Sequence, residues 1–281
     1  MNYTIKDNKI EIFDADTFEP ESVLASGQIF RFGCVNDVWW VCSGENRAEI
    51  KKLGENHYLI DTNNAKFFEN YFDFSTNYDI ILTRLGKHKV LQPALEYSRG
   101  VRLLRQPLLE VIINFIISAN NNIPRIRKSV QGICEQFGTK TEWGFAFPAL
   151  EQLSKATIQD FTNLGCGYRA PYLVDTIAKL QDEKILKSLL TAKDTQTARE
   201  ILLSLKGVGP KVADCILLFG LQRFDVFPVD TWIHKVYVQN FNGQETNRNK
   251  ITKWFVDTFG ADSGYCQQYL FYYKRKDISL K

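Results

Sequence analysis

The sequence predicts an α+β fold: an N-terminal antiparallel β-sheet subdomain over residues 1–105, then a mainly α-helical domain over residues 106–281. Two observations predict it. Before about residue 100, apolar residues alternate in short runs broken by Asn-Asp and Gly, the pattern of strands and tight turns. From Pro107 onward they recur three and four positions apart, the helical period. A chain of 281 residues has ample length to bury the core of one large domain or two.

Taken in order, residues 3–6, 30–35, 38–41 and 57–60 read as strands, with helical pieces near 17–25 and 65–72. Helices follow at 107–119, 123–137, 168–181, 195–205 and 246–259, and the boundary between the two halves falls at 100–106. The longest apolar run, Val111 to Ile117, is far shorter than the roughly 20 residues of a membrane span. The start, Met1-Asn-Tyr-Thr-Ile-Lys, lacks the apolar region of a signal peptide. Six cysteines, at 34, 42, 134, 166, 215 and 266, form no C-x-x-C pair and suit a reducing compartment, so a cytoplasmic protein is expected, and a monomer.

The net charge of +3 hides an asymmetry. Residues 1–100 carry 11 Lys and Arg against 15 Asp and Glu, whereas residues 101–281 carry 24 against 17. The second half is therefore the basic one. A positive surface is what phosphate binding needs, although surplus lysine also serves plain solubility.

That half contains the most informative stretch, residues 198–221. Ile201, Leu202 and Leu205 keep helical spacing, Lys206 to Pro210 breaks it, and Val212, Ile216 and Phe219 resume it, which gives helix, hairpin, helix. Gly207 and Gly209 are expected to hold backbone angles closed to other residues, and Pro210 suits the first helical turn. Free N–H groups at the start of the second helix, with Gly207, Gly209 and Lys206 around them, form a candidate phosphate socket. A plain αα-corner would show the same glycines. Two residues argue for more: Lys211, a cation at the positive end of a helix, and Asp230, placed after Val226-Phe-Pro-Val to cap the next helix.

Leu205-Lys-Gly-Val-Gly-Pro-Lys-Val-Ala-Asp-Cys215 followed by Val226-Phe-Pro-Val-Asp230 resembles the helix-hairpin-helix DNA glycosylase superfamily, and within it the 8-oxoguanine DNA glycosylases. Ser26-Gly-Gln-Ile-Phe-Arg31, Gly100-Val-Arg-Leu-Leu-Arg105-Gln, Ser118-Ala-Asn-Asn-Asn-Ile123, Leu164-Gly-Cys-Gly-Tyr-Arg-Ala170 and the stretch from Gln267 to Phe271 agree with that resemblance. It implies a helical domain of two lobes flanking a cleft. It also implies a bifunctional enzyme that flips 8-oxoguanine out of double-stranded DNA, excises it, and cleaves the strand as an abasic-site lyase. The superfamily's iron–sulfur branch carries four closely spaced C-terminal cysteines. Only Cys266 lies there, so no iron–sulfur cluster and no metal is expected.

The chemistry fits the residue types. Breaking an N-glycosidic bond builds positive charge on the sugar, so a carboxylate, Asp230, stabilises it while a nucleophile, Lys211, captures C1′. An amine at C1′ becomes a Schiff base, which acidifies the adjacent sugar proton and permits β-elimination. Cys215 lies one helical turn from Lys211 on the same face. Read alone, Cys215 and Phe271 are core residues; the resemblance makes them the two faces of a base pocket, with Gln267 at the Watson–Crick edge. It gives the acceptor for N7 to the carbonyl of Gly27. It places Asn120 and Tyr168 in the gap left by the flipped base, and Arg125 and Arg169 against the orphaned cytosine. The asparagines at 121 and 122 read equally well as helix caps. Trp232 departs from the pattern, because many relatives have a phosphate-binding histidine there. Two rival readings stand beside this one: a monofunctional glycosylase for alkylated bases, and a non-enzymatic helix-hairpin-helix module that grips phosphates.

Overall fold

The structure, a computed structural model, describes residues 1–279. It opens with strands β1 (Asn2–Lys6) and β2 (Lys9–Phe13), helix α1 (Pro20–Leu24), and strands β3 (Phe32–Val35), β4 (Val38–Ser43), β5 (Asn46–Gly54) and β6 (His57–Thr62). The six strands make one antiparallel sheet in the order β1-β2-β6-β5-β4-β3. Two of its hairpins turn at Asp7-Asn8 and Asn36-Asp37, where all four residues have φ between 48° and 62°. Such two-residue turns require left-handed backbone, which Asn and Asp tolerate better than other side chains. Ile10 and Ile12 on β2 oppose Ile60 and Tyr58 on β6, and Ile50 on β5 opposes Ile60, so one face is apolar. That face is covered by Phe18, Val23, Phe68 and Phe72.

Helices α2 (Ala65–Tyr71), α3 (Tyr78–Leu85) and α4 (Gln92–Tyr97) follow the sheet. α2 packs on the sheet, but Tyr78, Ile81, Leu82, Leu85 and Leu95 share the core of the later helices. The change of period near residue 100 therefore does not coincide with the change of core: residues 78–103 pack forward. The sequence reading missed α3, although Tyr78, Ile81, Leu82 and Leu85 keep helical spacing, and α4, whose 6 residues are too few to repeat a period, and it passed over strands β2 and β5.

Beyond Pro107 come α5 (Leu108–Ser118), α6 (Ile123–Phe137), a small hairpin of β7 (Lys140–Thr141) and β8 (Gly144–Phe145), then α7 (Leu150–Leu153), α8 (Ile158–Asn163), α9 (Ala170–Leu180), α10 (Glu183–Thr191), α11 (Thr195–Leu203), α12 (Pro210–Gly220), α13 (Thr231–Phe241), α14 (Arg248–Phe259) and α15 (Ser263–Ser279). The run Val111 to Ile117 is buried all round, so α5 is the axis on which α6, α9 and α12 pack. Among the described residues no helix is long and apolar enough to cross a membrane.

Polar side chains buried at the junction lock the sheet to the helices. Arg102, 1% exposed, donates to the carbonyls of Phe72, Thr17, Thr76 and Asp73, and its guanidinium lies 3.9 Å over the Tyr78 ring. A buried cation is tolerable only when its donors are satisfied in this way. Glu110 on α5 accepts the Gly44 N–H at 2.8 Å from the turn between β4 and β5. In the loop between α1 and β3, which carries Gly27, the Gln28 side chain donates to the Arg102 carbonyl and accepts the Leu104 N–H, each at 2.8 Å, and so ties the loop to the segment that leads into the helical domain.

Candidate active site

The hairpin between α11 and α12 uses its two glycines differently. Gly207 has φ +81°, and a Cβ added there would come within 2.9 Å of Tyr172 Cβ and 3.2 Å of Ile116 Cγ2, so both backbone and space demand glycine. Gly209 has φ −89° and ψ 178°, and an added Cβ would meet nothing within 4 Å. The expectation that both glycines serve forbidden angles thus holds for Gly207 and fails for Gly209. Gly209 is the N-cap of α12 and supplies no capping side chain, while the first helical bond runs from Ala213 N–H to its carbonyl. With Pro210 lacking an N–H, the amides of Lys211 and Val212 project from the helix start with no Cβ in front of them. Lys206 stands beside them, ion-paired with Asp175 at 2.9 Å. That contact, more than any other, holds the Asp175 carboxyl below its usual range.

One turn inside this mouth, Lys211, Asp230, Gly27, Cys215, Gln267 and Phe271 line a single pocket. The structure thus brings together residues that lie as far apart as positions 27 and 271. Phe115, Phe219, Pro228 and Gln268, which the sequence reading does not select, complete the walls. The first two were hidden in apolar helical runs; Pro228 stood two residues from Asp230 and was read only as a helix-opening signal.

Lys211 Nζ lies 5.5 Å from the centre of the Phe115 ring and reaches the Cys215 thiol. Burial pushes that thiol up to about 11 against the opposing pull of Lys211, so at neutral pH it is an S–H and not a rival nucleophile. Asp230 caps α13: its Oδ1 accepts both the Trp232 and Ile233 N–H groups at 2.9 Å. Oδ2 has no hydrogen-bond partner among the described residues, so one carboxylate oxygen is structural and the other faces the pocket. Gln267 is 5% exposed; its Nε2 donates to the Pro228 carbonyl at 3.4 Å while its buried Oε1 accepts nothing. An orphaned acceptor of this kind costs free energy unless a ligand satisfies it. The pocket encloses about 40 Å³. A Cβ on Gly27 would lie 2.9 Å from Phe271 Cε1, so the ring rests on the glycine and must swing aside for a purine to enter.

A second group of selected residues lies at the N-terminal end of α6 and the start of α9. Asn120, exposed with φ +48°, forms the tip of the loop between α5 and α6. Tyr168, 55% exposed, projects beside it and donates to the Ala119 carbonyl at 3.2 Å. Asn122 caps α6 and Asn121 donates to the Ile117 carbonyl, so the capping role holds for both. Arg125 is exposed, and its guanidinium makes no hydrogen bond among the described residues. Arg169 is 4% exposed, spends its donors on the carbonyls of Ala119, Asn120 and Cys166, and stacks on Tyr168 at 4.3 Å. To meet a base it would have to trade those bonds. At the departure from the pattern, Trp232 carries Lys235 Nζ 4.6 Å over its ring. Among the described residues no group of three or more His, Cys, Asp or Glu is placed to hold a metal.

Comparison with known proteins agrees with this geometry. Residues 12–112 match the family model of the 8-oxoguanine DNA glycosylase N-terminal domain, and residues 113–256 that of HhH-GPD superfamily base excision DNA repair proteins. The chain is 33% identical over 232 residues to a probable N-glycosylase/DNA lyase of Methanothermobacter thermautotrophicus, covering 74% of each chain. It belongs to the 8-oxoguanine DNA glycosylase family. Another member, N-glycosylase/DNA lyase OGG1 of Arabidopsis thaliana, is 35% identical over 76% of this chain and 60% of its own. Among solved structures of the family, the Clostridium acetobutylicum 8-oxoguanine glycosylase/lyase, in complex with duplex DNA containing cytosine opposite 8-oxoguanine, superposes with a TM-score of 0.93 at 32% identity over 99% of both chains.

Proposed function

We propose that this protein excises 8-oxoguanine from double-stranded DNA and then cleaves the strand at the abasic site, with Lys211 as nucleophile and Asp230 as the charge that supports it. The observation that carries the proposal is the convergence of Gly27, Lys211, Cys215, Asp230, Gln267 and Phe271 on one pocket beside an uncapped helix start. The amides of α12 with Lys206 and Gly207 hold the phosphate backbone, which positions the duplex without reading its sequence. The flipped base enters against Cys215 as Phe271 closes on its other face, and Gln267 Oε1 accepts from its Watson–Crick edge. An acceptor at Gly27 meets the N7–H of the oxidised base but the lone pair of guanine, a difference of about 1–3 kcal/mol for one buried group.

Lys211 Nζ attacks C1′ as the bond to the base breaks, and Asp230 Oδ2 faces the developing positive charge. Breaking of the C1′–O4′ bond, with loss of an amine proton, opens the sugar and turns this adduct into a Schiff base, which acidifies C2′; as a C2′ proton passes to water, the 3′ phosphate departs. An amine and a carboxylate supply all of this chemistry, so the proposed reaction calls on neither a metal nor an iron–sulfur cluster, and one chain holds the whole site. Arg125 faces the orphaned partner base, where cytosine offers O2 and N3 as acceptors and adenine offers an amino donor, so excision is faster opposite cytosine. A protein with this substrate works where the cell keeps its chromosome. Borohydride tests the mechanism: the protein should become covalently linked to a duplex containing 8-oxoguanine, and Lys211→Gln should abolish the link while retaining binding. Trapping and excision by that variant would show the mechanism to be wrong.

A further inference from the structure

The turn that carries Gly27 is held by donors from far away in the chain. Ala25 is the C-cap of α1, and Ser26 and Gln28 are fully buried. Arg275 Nη1 donates to the Ala25 carbonyl at 3.1 Å, Gln268 Nε2 to the Ser26 carbonyl at 3.0 Å, and Gln106 Nε2 to the Gln28 carbonyl at 3.0 Å. Among the described residues nothing donates to the carbonyl of Gly27. The turn therefore spends three of its four acceptors and keeps one, on the residue that lines the pocket. Arg275 also backs the glycine directly, since an added Cβ would fall 2.8 Å from its Nη1, and its guanidinium lies 5.7 Å from the centre of the Phe271 ring.

Such bracing matters because of what a glycine turn does when left free. Gly27 has φ +86° and no Cβ to hinder rotation of the peptide that follows. Flipping that peptide would put the Gln28 N–H where the Gly27 carbonyl oxygen stood. A donor there suits the N7 lone pair of ordinary guanine and faces the N7–H of the oxidised base, so the flip would invert the preference. Anchoring the carbonyls of Ser26 and Gln28 on either side opposes the flip.

We propose that Gln268 and Arg275 are positioning residues for base recognition: Gln268 occupies the Ser26 carbonyl next to Gly27, Arg275 occupies the Ala25 carbonyl one residue further back and packs against the glycine itself, and together they hold the Gly27 carbonyl as the acceptor that tells an oxidised purine from guanine. The inference rests on the excision activity proposed above and adds two residues of α15 to it. Arg275 lies behind the turn, and Gln268, although it also lines the pocket, acts here through its bond to the Ser26 carbonyl.

The test separates base recognition from chemistry on the sugar. In single-turnover assays, Gln268→Leu and Arg275→Leu should excise 8-oxoguanine opposite cytosine about tenfold more slowly, the worth of one well-placed hydrogen bond. Both should cleave a preformed abasic site, which has no base to recognise, within about twofold of the unmutated rate. Arg275→Lys keeps a donor and should recover most of the excision rate. Equal losses in the two reactions would mean that these side chains only stabilise the fold, and unchanged excision in both Leu variants would remove them from recognition; either result overturns the inference while the proposed function stands. An unmutated protein that cleaves abasic sites but leaves 8-oxoguanine in place would overturn both.

Discussion

Asp230 offers a clean separation of structure from chemistry, because its two oxygens have different tasks. Oδ1 accepts the Trp232 and Ile233 amides at 2.9 Å, and Oδ2 is left to the pocket. Asp230→Asn keeps an acceptor in the Oδ1 position and so keeps the cap, losing only the attraction between a carboxylate and the positive end of α13, about 0.3–1 kcal/mol. Asp230→Ala loses cap and charge together, about 0.5–2 kcal/mol. On the proposed mechanism the two changes are nearly equivalent for catalysis, since each removes the negative charge assigned to the sugar; deleting one such stabilising group typically slows a reaction about 100-fold or more. The experiment measures single-turnover excision and denaturant unfolding for both variants beside the unmutated protein. Excision should collapse in both, while stability falls appreciably only for Ala. An Asn variant that excises within tenfold of the unmutated rate would refute the charge role and leave Asp230 as a cap.

Three further predictions follow from particular contacts. Gly207→Ala should destabilise the fold by about 1–2 kcal/mol through its left-handed backbone, whereas Gly209→Ala should leave stability within about 0.5 kcal/mol and weaken binding to damaged and undamaged duplex alike; equal stability losses would refute the distinction. Burial raises the carboxyl of Asp214, next to Cys215 and paired with Arg199, from 3.8 to about 6. Because the raised value disfavours the ionised native form, the cost is absent below about pH 4 and complete above about pH 6, reaching about 3 kcal/mol. Asp214→Asn should therefore gain stability relative to the unmutated protein between pH 4 and pH 7, and parallel unfolding curves at the two pH values would contradict this. Arg125→Ala should reduce the preference for cytosine opposite the lesion at constant stability, whereas Arg169→Ala should also destabilise, since the side chain's bonds to three carbonyls are lost and that of Asn120 is left without a donor; an unchanged preference in Arg125→Ala would remove that residue from partner-base reading.

The site was legible in the sequence where residue type itself is chemically improbable. A lysine at a helix start and an aspartate after Phe-Pro-Val ask for explanations that an αα-corner does not give, and family resemblance then supplied Gly27, Gln267 and Phe271. What stayed hidden was pairing across the chain. Gln268 reads as one of two adjacent glutamines on a helix, and its bond to Ser26, 242 positions away, has no local signature. Arg169 reads as a free donor beside an exposed tyrosine, yet carbonyls from the loop at Ala119 bury it. Gly209 reads like Gly207 because both are glycine in the same hairpin, and only the backbone angles and surroundings show that the fold requires glycine at 207 and not at 209. In the fold, the sheet announced itself through Asn-Asp turns, whereas α4 was too short to repeat a period and the single repeat in α3, Tyr78 to Leu85, lay inside the half whose other elements alternate.

The closure of the Gly27 turn by α15 has a consequence for the order in which the molecule acquires its abilities during synthesis. A ribosome releasing this chain has delivered the hairpin, Lys211 and Asp230 well before Gln267, Gln268, Phe271 and Arg275 emerge. On the proposed assignments, the nascent protein holds its nucleophile and its phosphate contacts first, and its means of judging a base later. Until α15 docks, the loop between α1 and β3 lacks two of its three braces. On the proposed reading, discrimination between damaged and intact guanine waits for the docking of α15, long after the groups that act on the sugar have been made.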